Sequence, residues 1–557
     1  MTGVNSGMQG ASQHIDLADA LIKKSSIWIK QQCSGGKGIS SDKMDEHQLA
    51  SFDLAWCAAE STAARFALEY AEKMAASTAG EGVCLEQRMT LVFCAEALQN
   101  IQNRLRVRPQ NYGLSEADVA TLASPAIARF CQEQLDAGNL DALGKLVSTL
   151  DGGSGAYLLG DDATMMQDSF RKLATNVVMP LAEEIHREDR IIPPEILDPL
   201  TEMGCFGLSI PERYGGIQSD DHEDNMGMIV VTEELSHGSL GGAGSLITRP
   251  EILSRSLLKG GTEAQRQKWL PQIAMGQPLC AIAVTEPDTG SDVAAMRLKA
   301  TKCEGGWILD GAKTWCTMAG KAGLLLVLAR SNPDSSLGHK GLSMFLVEKD
   351  SYDGHDFEYR QPLGGVLTGR AIATIGYRGM HSYEVFFDHV FVPDDNLVGG
   401  PEGEGKGFYF TMAGFAGGRI QTAARAIGVM QAAFEKAVSY SQERKAFGKL
   451  IGDFQLTRVK LARMATLLTV SRQFTYAVGR LMDQGKGQME ASMVKLFTCR
   501  TAEWLTREAM QIHGGMGYAE ETPVSRYFLD ARVLSIFEGA EETLALKVIA
   551  RSLIDAV

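Results

Sequence analysis

Almost every β-type run in this 557-residue chain falls between residues 280 and 390. Residues 281–284, 307–310, 323–329, 342–347 and 385–388 are short apolar or β-branched stretches separated by Gly, Asp and Asn turns, the pattern of strands. The flanks read as helix. Residues 46–74 are rich in Ala, Leu and Phe with few breakers, Ser115 and Asp118 have capping-box spacing, and residues 163–187 continue the pattern. Pro193-Pro194 opens a further short helix and 226–273 is helical again. From Gly407 onward, Ile420, Ala423, Ala424, Ile427, Phe434, Ala437 and Val438 keep one helical face. Strands gathered into one block cannot alternate with helices in a repeating βαβ sheet, so the order predicts an α+β chain of segregated domains. The expected boundaries are a helical extension over 1–155, a helical domain over 160–279, a β-domain over 280–396 and a C-terminal helical bundle over 397–557. Asp151-Gly-Gly-Ser-Gly155 reads as a linker.

A chain of this length needs more than one core. Its formal net charge of −14 repels phosphate backbones, and no basic patch offsets it, which argues against a nucleic-acid partner. No apolar run is long enough to span a bilayer, and residues 1–8 lack the basic and apolar regions of a signal peptide, so a cytoplasmic protein is expected. The ten cysteines form no C-x-x-C pair and no histidines cluster at metal spacing; the cysteines read as small buried hydrophobes and no metal is expected. Neither G-x-G-x-x-G nor G-x-x-x-x-G-K-[ST] occurs, which removes support for the commonest dinucleotide and nucleotide folds.

Four separated stretches carry chemistry. Val284 leads into Thr285-Glu-Pro-Asp-Thr-Gly-Ser-Asp292 directly after a β-type run. Gly290 lets backbone approach a planar ligand, while Thr285 and Ser291 offer hydroxyls and amides to its polar edge; read alone, the loop is a polar β-turn. In Lys313-Thr-Trp-Cys-Thr317, alternation places Trp315 and Thr317 on one face, suited to flank an aromatic cofactor or to fill a core. Glu443-Arg-Lys-Ala-Phe-Gly448 ends a long helix with an arginine able to clamp a pyrophosphate or to sit in solvent. Gln511-Ile-His-Gly-Gly-Met-Gly-Tyr518 precedes Ile536-Phe-Glu-Gly539, where Glu538 stands between apolar side chains and a glycine turn. Desolvation makes such a carboxylate a stronger base, fit for a weakly acidic carbon; a solvated turn glutamate is the plainer reading.

Together and in this order, from about residue 162 to the C-terminus, these motifs resemble the acyl-CoA dehydrogenase family of flavoproteins. The resemblance implies a helical domain, a middle β-barrel-like domain and a C-terminal four-helix bundle. It also implies FAD as cofactor, an acyl-CoA substrate, an electron-transferring flavoprotein as electron partner, and a homodimer or homotetramer. Position by position, Val284, Thr285, Gly290 and Ser291 match the loop lining the flavin and the thioester end of the substrate. Trp315 and Thr317 match the pair beside the isoalloxazine. Arg444, Phe447 and Gln455 match positions that reach the FAD of a neighbouring subunit, and Gln511, Gly514 and Gly515 match the segment packed on that cofactor. Arg419 matches the helix-opening arginine on the CoA side, and Glu538 the catalytic base. Some members place the base just before that arginine; here the residue is Gly418, which cannot accept a proton.

Ala540, Glu542 and Arg425 stand where the family usually has Thr, Gln and Gly. Arg425 reads equally as a surface cation or a charge partner. The extension over 1–155 is lacking in short- and medium-chain members and resembles a branch that oxidises a methyl-branched dicarboxylic thioester. Such a substrate needs a cation for its free carboxylate; Arg249 is the first candidate, followed by Arg378 and Arg425. The extension itself is expected to pack on the catalytic core or fill out the oligomer. Rival readings are a dehydrogenase for another short or branched acyl-CoA, an acyl-CoA oxidase, and a nucleic-acid-associated flavoprotein relative.

Overall fold

The computed structural model describes residues 2–35, 38–77, 84–362 and 364–557. The chain divides into two compact units, one formed by Met1–Gly160 with Thr422–Val557 and the other by Asp161–Gln421.

In the unit Asp161–Gln421, helices Asp161–Leu173, Met179–Arg187, Asn225–Gly238, Thr248–Gly260 and Glu263–Ala274 precede the β block. Thr262 caps the last of these with a capping box, its hydroxyl accepting from the Gln265 amide 3.2 Å away. Gln265 then donates to the carbonyls of Asp395 and Leu397 at 2.8 and 2.6 Å, so the same residue that starts the helix ties it to the end of the β block. Among the described residues, eight strands make one mixed sheet: β1 Cys280–Ala283, β2 Lys299–Cys303, β3 Gly306–Thr317, β4 Leu324–Arg330, β5 Leu342–Glu348, β6 Asp356–Arg360, β7 Val366–Ala371 and β8 Ser382–Pro393. Their order is β1-β4-β2-β3-β8-β7-β6, with β5 paired to β4. Val327, Phe345, Val347, Leu367, Val385 and Val390 fill the core against it. All five β-type runs of the sequence lie in or touch these strands. The strands β2, β6 and β7 went unread because polar or exposed residues interrupt them, as in Lys-Ala-Thr-Lys-Cys, leaving too few apolar positions to mark a period.

In the other unit, helices Gln48–Ser77, Leu85–Val107 and Ala137–Ser148 pack against Gln455–Asp483, Gln48–Ser77 also meets Gln488–His513, and Thr2–Cys33 packs on Gln48–Ser77 and Leu85–Val107. Phe66 stacks on Phe474 with ring centroids 5.7 Å apart, and Phe93 meets Phe497 edge-on at 5.6 Å. Of these, Phe93, Phe474 and Phe497 are buried, each contributing about 1.5–3 kcal/mol relative to exposure. Two ion pairs, Arg458–Asp141 at 2.5 Å and Arg463–Glu96 at 2.7 Å, add register between the N-terminal and C-terminal helices. The extension thus packs on the C-terminal bundle and shares its core. The Ser115–Asp118 capping box forms as read, with both reciprocal bonds present.

The segment 151–155 is a pinned turn, not the linker its composition suggests. Gly152 adopts φ +85° and its carbonyl accepts from Gln431 Nε2 at 2.9 Å. Ser154 is 1% exposed; its hydroxyl accepts from Arg472 at 2.9 Å and its carbonyl from Thr469 Oγ1. Glycines serve here to bring backbone close to side chains, a role that composition cannot separate from flexibility. No helix among the described residues is long and apolar enough to cross a membrane.

Candidate active site

In the unit Asp161–Gln421, the loop after β1 is held by one buried ion pair. Lys313 Nζ, on β3, lies 2.9 Å from Glu286 Oε1 and donates to the Val284 carbonyl at 2.9 Å. Glu286 also accepts from the backbone N–H groups of Arg297 and Leu298 at 2.6 and 2.8 Å. Burial draws the Lys313 ammonium below its ordinary range, and Glu286 opposes that shift. The Thr314 N–H donates to the Thr285 carbonyl at 2.9 Å, and Glu286 and Thr289 exchange backbone bonds at 3.0 and 3.1 Å. The result is a rigid loop base below Gly290 and Ser291, which are exposed. Lys313 and Glu286 both lie inside quoted motifs, yet their pairing needed the fold to become visible.

Trp315 sits on a bulge. In the β3–β8 ladder Lys313 faces Val385 and Cys316 faces Tyr383, so Thr314 and Trp315 together oppose the single residue Glu384. Trp315 has φ +57° and a side chain 55% exposed, whereas Thr317 is buried and 3.0 Å from the Ser382 hydroxyl. Simple alternation therefore misdescribes this stretch: the extra residue resets the pleat and turns the indole outward. Behind it, Cys316 is pushed up to about 12 by burial, while Lys313 and Arg249 pull it back.

Arg249 is buried near the start of Thr248–Gly260. Arg419 is half-buried, two residues before Gln421, which accepts from Thr248 Oγ1 at 2.7 Å and donates to Glu251. Gly418 is buried. Arg378 is engaged structurally: it donates to the carbonyls of Thr374 and His186 at 3.0 and 2.8 Å and pairs with Asp189 at 3.3 Å. Its bonding thus accounts for it without a ligand.

In the unit that carries the C-terminal helices, Glu538 lies just beyond helix Val524–Leu534, half-buried, with φ +54°. A non-glycine residue in this region costs of order 1–3 kcal/mol, which the surroundings must hold in place. Gly539 follows at φ +104°, and its carbonyl accepts from Lys495 Nζ at 2.6 Å. Lys495 is 1% exposed; burial lowers its pKa, the Arg425 charge lowers it further, and Cys499 and Glu538 raise it. Arg425 is 0% exposed, with its guanidinium 4.7 Å from the centroid of the Phe537 ring and bonded to Thr422 Oγ1 at 2.7 Å. It is therefore a buried partner to the Glu538 turn, and the surface reading falls. Glu541 pairs with Arg500 on the far side of the turn. Lys495 had no signal in the sequence beyond a cation inside an apolar helix.

Arg444 is exposed just past the end of Gly407–Glu443. Phe447 and Gly448, at φ +51° and +82°, form a two-residue turn between Lys445–Ala446 and Lys449–Leu450. Two positive φ values are what a tight hairpin of the right twist requires, and they throw the Phe447 ring outward, 97% exposed. Gln455 opens helix Gln455–Asp483 on the exposed side, and Gln511 lies in the last turn of Gln488–His513. Gly514 and Gly515 follow, exposed, and a Cβ added at either meets nothing within 4 Å. Thus Trp315, Phe447 and Glu538 are three of the ten non-glycine residues with positive φ among the described residues.

Three sequence-family profiles match: the acyl-CoA dehydrogenase N-terminal domain over residues 160–277, the middle domain over 281–390 and the C-terminal domain over 405–554. The chain belongs to the acyl-CoA dehydrogenase family. It is an oxidoreductase of that family and has its α+β fold. It is 38% identical to (2S)-methylsuccinyl-CoA dehydrogenase of Cereibacter sphaeroides over 553 residues, covering 98% of each chain. Butyryl-CoA dehydrogenase of Megasphaera elsdenii superposes with a TM-score of 0.63 at 32% identity, covering 72% of this chain and 100% of that one. A glutaryl-CoA dehydrogenase of Mycobacterium smegmatis, solved in complex with FADH2, gives a TM-score of 0.63 at 25% identity over 71% of this chain and 95% of that one.

The donor set of this acyl-CoA dehydrogenase suits FAD. In the unit Asp161–Gln421 an exposed indole is able to stack on a planar ring and Thr285 and Ser291 are able to bond a polar edge; in the other unit Arg444 is able to pair with a pyrophosphate, and the open backbone at Gly514–Gly515 admits close approach.

Proposed function

We propose that the chain catalyses FAD-dependent α,β-dehydrogenation of (2S)-methylsuccinyl-CoA to mesaconyl-CoA, a step of the ethylmalonyl-CoA pathway, in the cytoplasm. The observation that carries this reading is the 38% identity over 98% of both chains, which takes in the N-terminal helices that a 72% match to butyryl-CoA dehydrogenase leaves out. The working form is a homodimer or homotetramer that passes electrons to an electron-transferring flavoprotein. The domains follow the boundaries 1–155, 160–279, 280–396 and 397–557.

Bound FAD supplies a hydride acceptor for the β-hydrogen. Val284, Thr285, Gly290, Ser291, Trp315 and Thr317 hold its flavin end, while Arg444, Phe447, Gln455, Gln511, Gly514 and Gly515 reach the FAD of a second subunit. Glu538 removes the α-proton. Its backbone is left-handed, and the Lys495 bond to the Gly539 carbonyl holds the turn in that form. The Glu538 N–H would donate to the thioester oxygen as charge develops there. Ser291 and Arg419 bind the thioester and CoA side, and Arg249 binds the free carboxylate of the substrate.

Anaerobic bleaching of the bound flavin by methylsuccinyl-, glutaryl-, isobutyryl- and butyryl-CoA tests the proposal. Fast bleaching by methylsuccinyl-CoA is expected; bleaching by the monocarboxylic thioesters alone overturns the substrate assignment. Peroxide formation in place of flavoprotein reduction would make the chain an oxidase.

A further inference from the structure

Three residues far apart in sequence bring their ligand atoms together within the unit Asp161–Gln421. Asp189 lies in the turn after helix Met179–Arg187, His355 in the turn before β6, and His381 immediately before β8. Their donor atoms all lie within 4.8 Å of one another. His355 Nε2 and His381 Nε2 are 3.1 Å apart, His381 Nε2 is 3.1 Å from Asp189 Oδ1, and His355 Nε2 is 3.6 Å from Asp189 Oδ2.

The protons decide what this means. His381 Nδ1 is 3.1 Å from the Gly379 carbonyl, which can only accept, so Nδ1 carries the hydrogen. In the neutral ring, His381 Nε2 then presents its lone pair to a carboxylate oxygen and to His355 Nε2, which itself lies 3.0 Å from the Asp189 backbone carbonyl. Without an ion a single His355 N–H has to serve all of these acceptors; a cation among them satisfies them together. The spacing fits one: two nitrogens about 2.0–2.1 Å from a tetrahedral centre are roughly 3.3 Å apart. The Gly379 carbonyl supplies the outer bond that fixes a ligating histidine's tautomer, and Arg378, 3.3 Å from Asp189 Oδ1, steadies the carboxylate from outside. His381 is 2% exposed at its side chain, whereas His355 is 46% exposed, leaving an open side for water to complete the shell.

We propose that Asp189, His355 and His381 bind one divalent transition-metal ion of the zinc class, matched by two imidazoles and a carboxylate. The ion is a structural clip. It fastens the turn after Met179–Arg187 to the starts of β6 and β8, and Ser382, the next residue on β8, bonds Thr317. Sequence spacing gave no metal signature because the donors at 189, 355 and 381 meet only in the fold.

The test uses the full-length FAD-loaded protein. It is stripped with a chelator, dialysed against Zn2+ or Co2+, and assayed for bound metal by mass spectrometry, with the Co2+ ligand-field spectrum as a second readout. Expected are one ion per chain, a Co2+ spectrum with nitrogen ligands, and an unfolding midpoint that falls by several degrees on stripping and returns with Zn2+. The half-exposed variant His355→Ala should lose the ion while remaining folded by circular dichroism, and Asp189→Asn should weaken it. No bound metal, or equal binding by His355→Ala, would overturn the proposal and leave the cluster held by the His355 N–H beside the Asp189 carbonyl.

Discussion

Lys313→Met is the sharpest probe of how the loop after β1 is built. The substitution keeps an unbranched side chain in a site that is 0% exposed but removes the ammonium that Glu286 and the Val284 carbonyl share. Glu286, with its side chain 7% exposed, then keeps only two backbone donors for a full charge. Removing one partner of a buried pair costs about 3–5 kcal/mol, chiefly through the charge left behind. At roughly 2–4 °C per kcal/mol for a body of this size, the unfolding midpoint of that unit should drop by about 6–20 °C. The double variant Lys313→Met/Glu286→Gln removes the orphaned charge and should recover at least half of the loss. Calorimetry, with flavin content measured alongside, reads both effects. A single variant within about 1 kcal/mol of the parent, or a double variant no better than the single, would refute the claim that this pair positions the loop.

Glu538→Gln should retain its flavin and lose about 10²- to 10⁴-fold in the rate of flavin reduction by substrate, measured by stopped flow. Arg249→Ala should lower kcat/KM for methylsuccinyl-CoA roughly 10- to 150-fold more than for butyryl-CoA, the worth of a charge-assisted hydrogen bond. Gly539→Ala places a Cβ 2.9 Å from Leu544 Cδ2 at φ +104°, so it should destabilise by about 1–3 kcal/mol in chemical denaturation. Lys349, 6% exposed, is drawn from 10.5 to about 7 by burial, so between those values the unfolded chain binds more protons and stability from this group rises with pH. Lys349→Met should flatten that rise, worth at most about 5 kcal/mol, in unfolding midpoints measured from pH 7 to pH 10.

What could be read from the sequence was local. Glu538, the Thr285–Asp292 loop and Trp315 stand out as candidates because each lies in a short contiguous motif, and the family follows from the order of those motifs. The β block was legible where strands were apolar throughout, as in Leu324–Arg330, and illegible where polar residues interrupted them, as in Lys299–Cys303. Everything that depended on two distant segments meeting stayed hidden: the Lys313–Glu286 pair, the Lys495 bond to Gly539, the burial of Arg425. The bulge at Thr314–Trp315 was also hidden, because an inserted residue is defined only by its partner strand.

The pinned turn at 151–155 sets a problem for synthesis. Ser154 is bonded to Arg472, 318 positions later, and the helices before it share their core with residues 461–505. A ribosome adding about 5–20 residues per second delivers that partner roughly 16–64 s after the turn has emerged. For that interval Phe66, Phe93 and the faces around them have no bundle to enter. The helices before this turn are therefore completed only when residues 455–513 arrive.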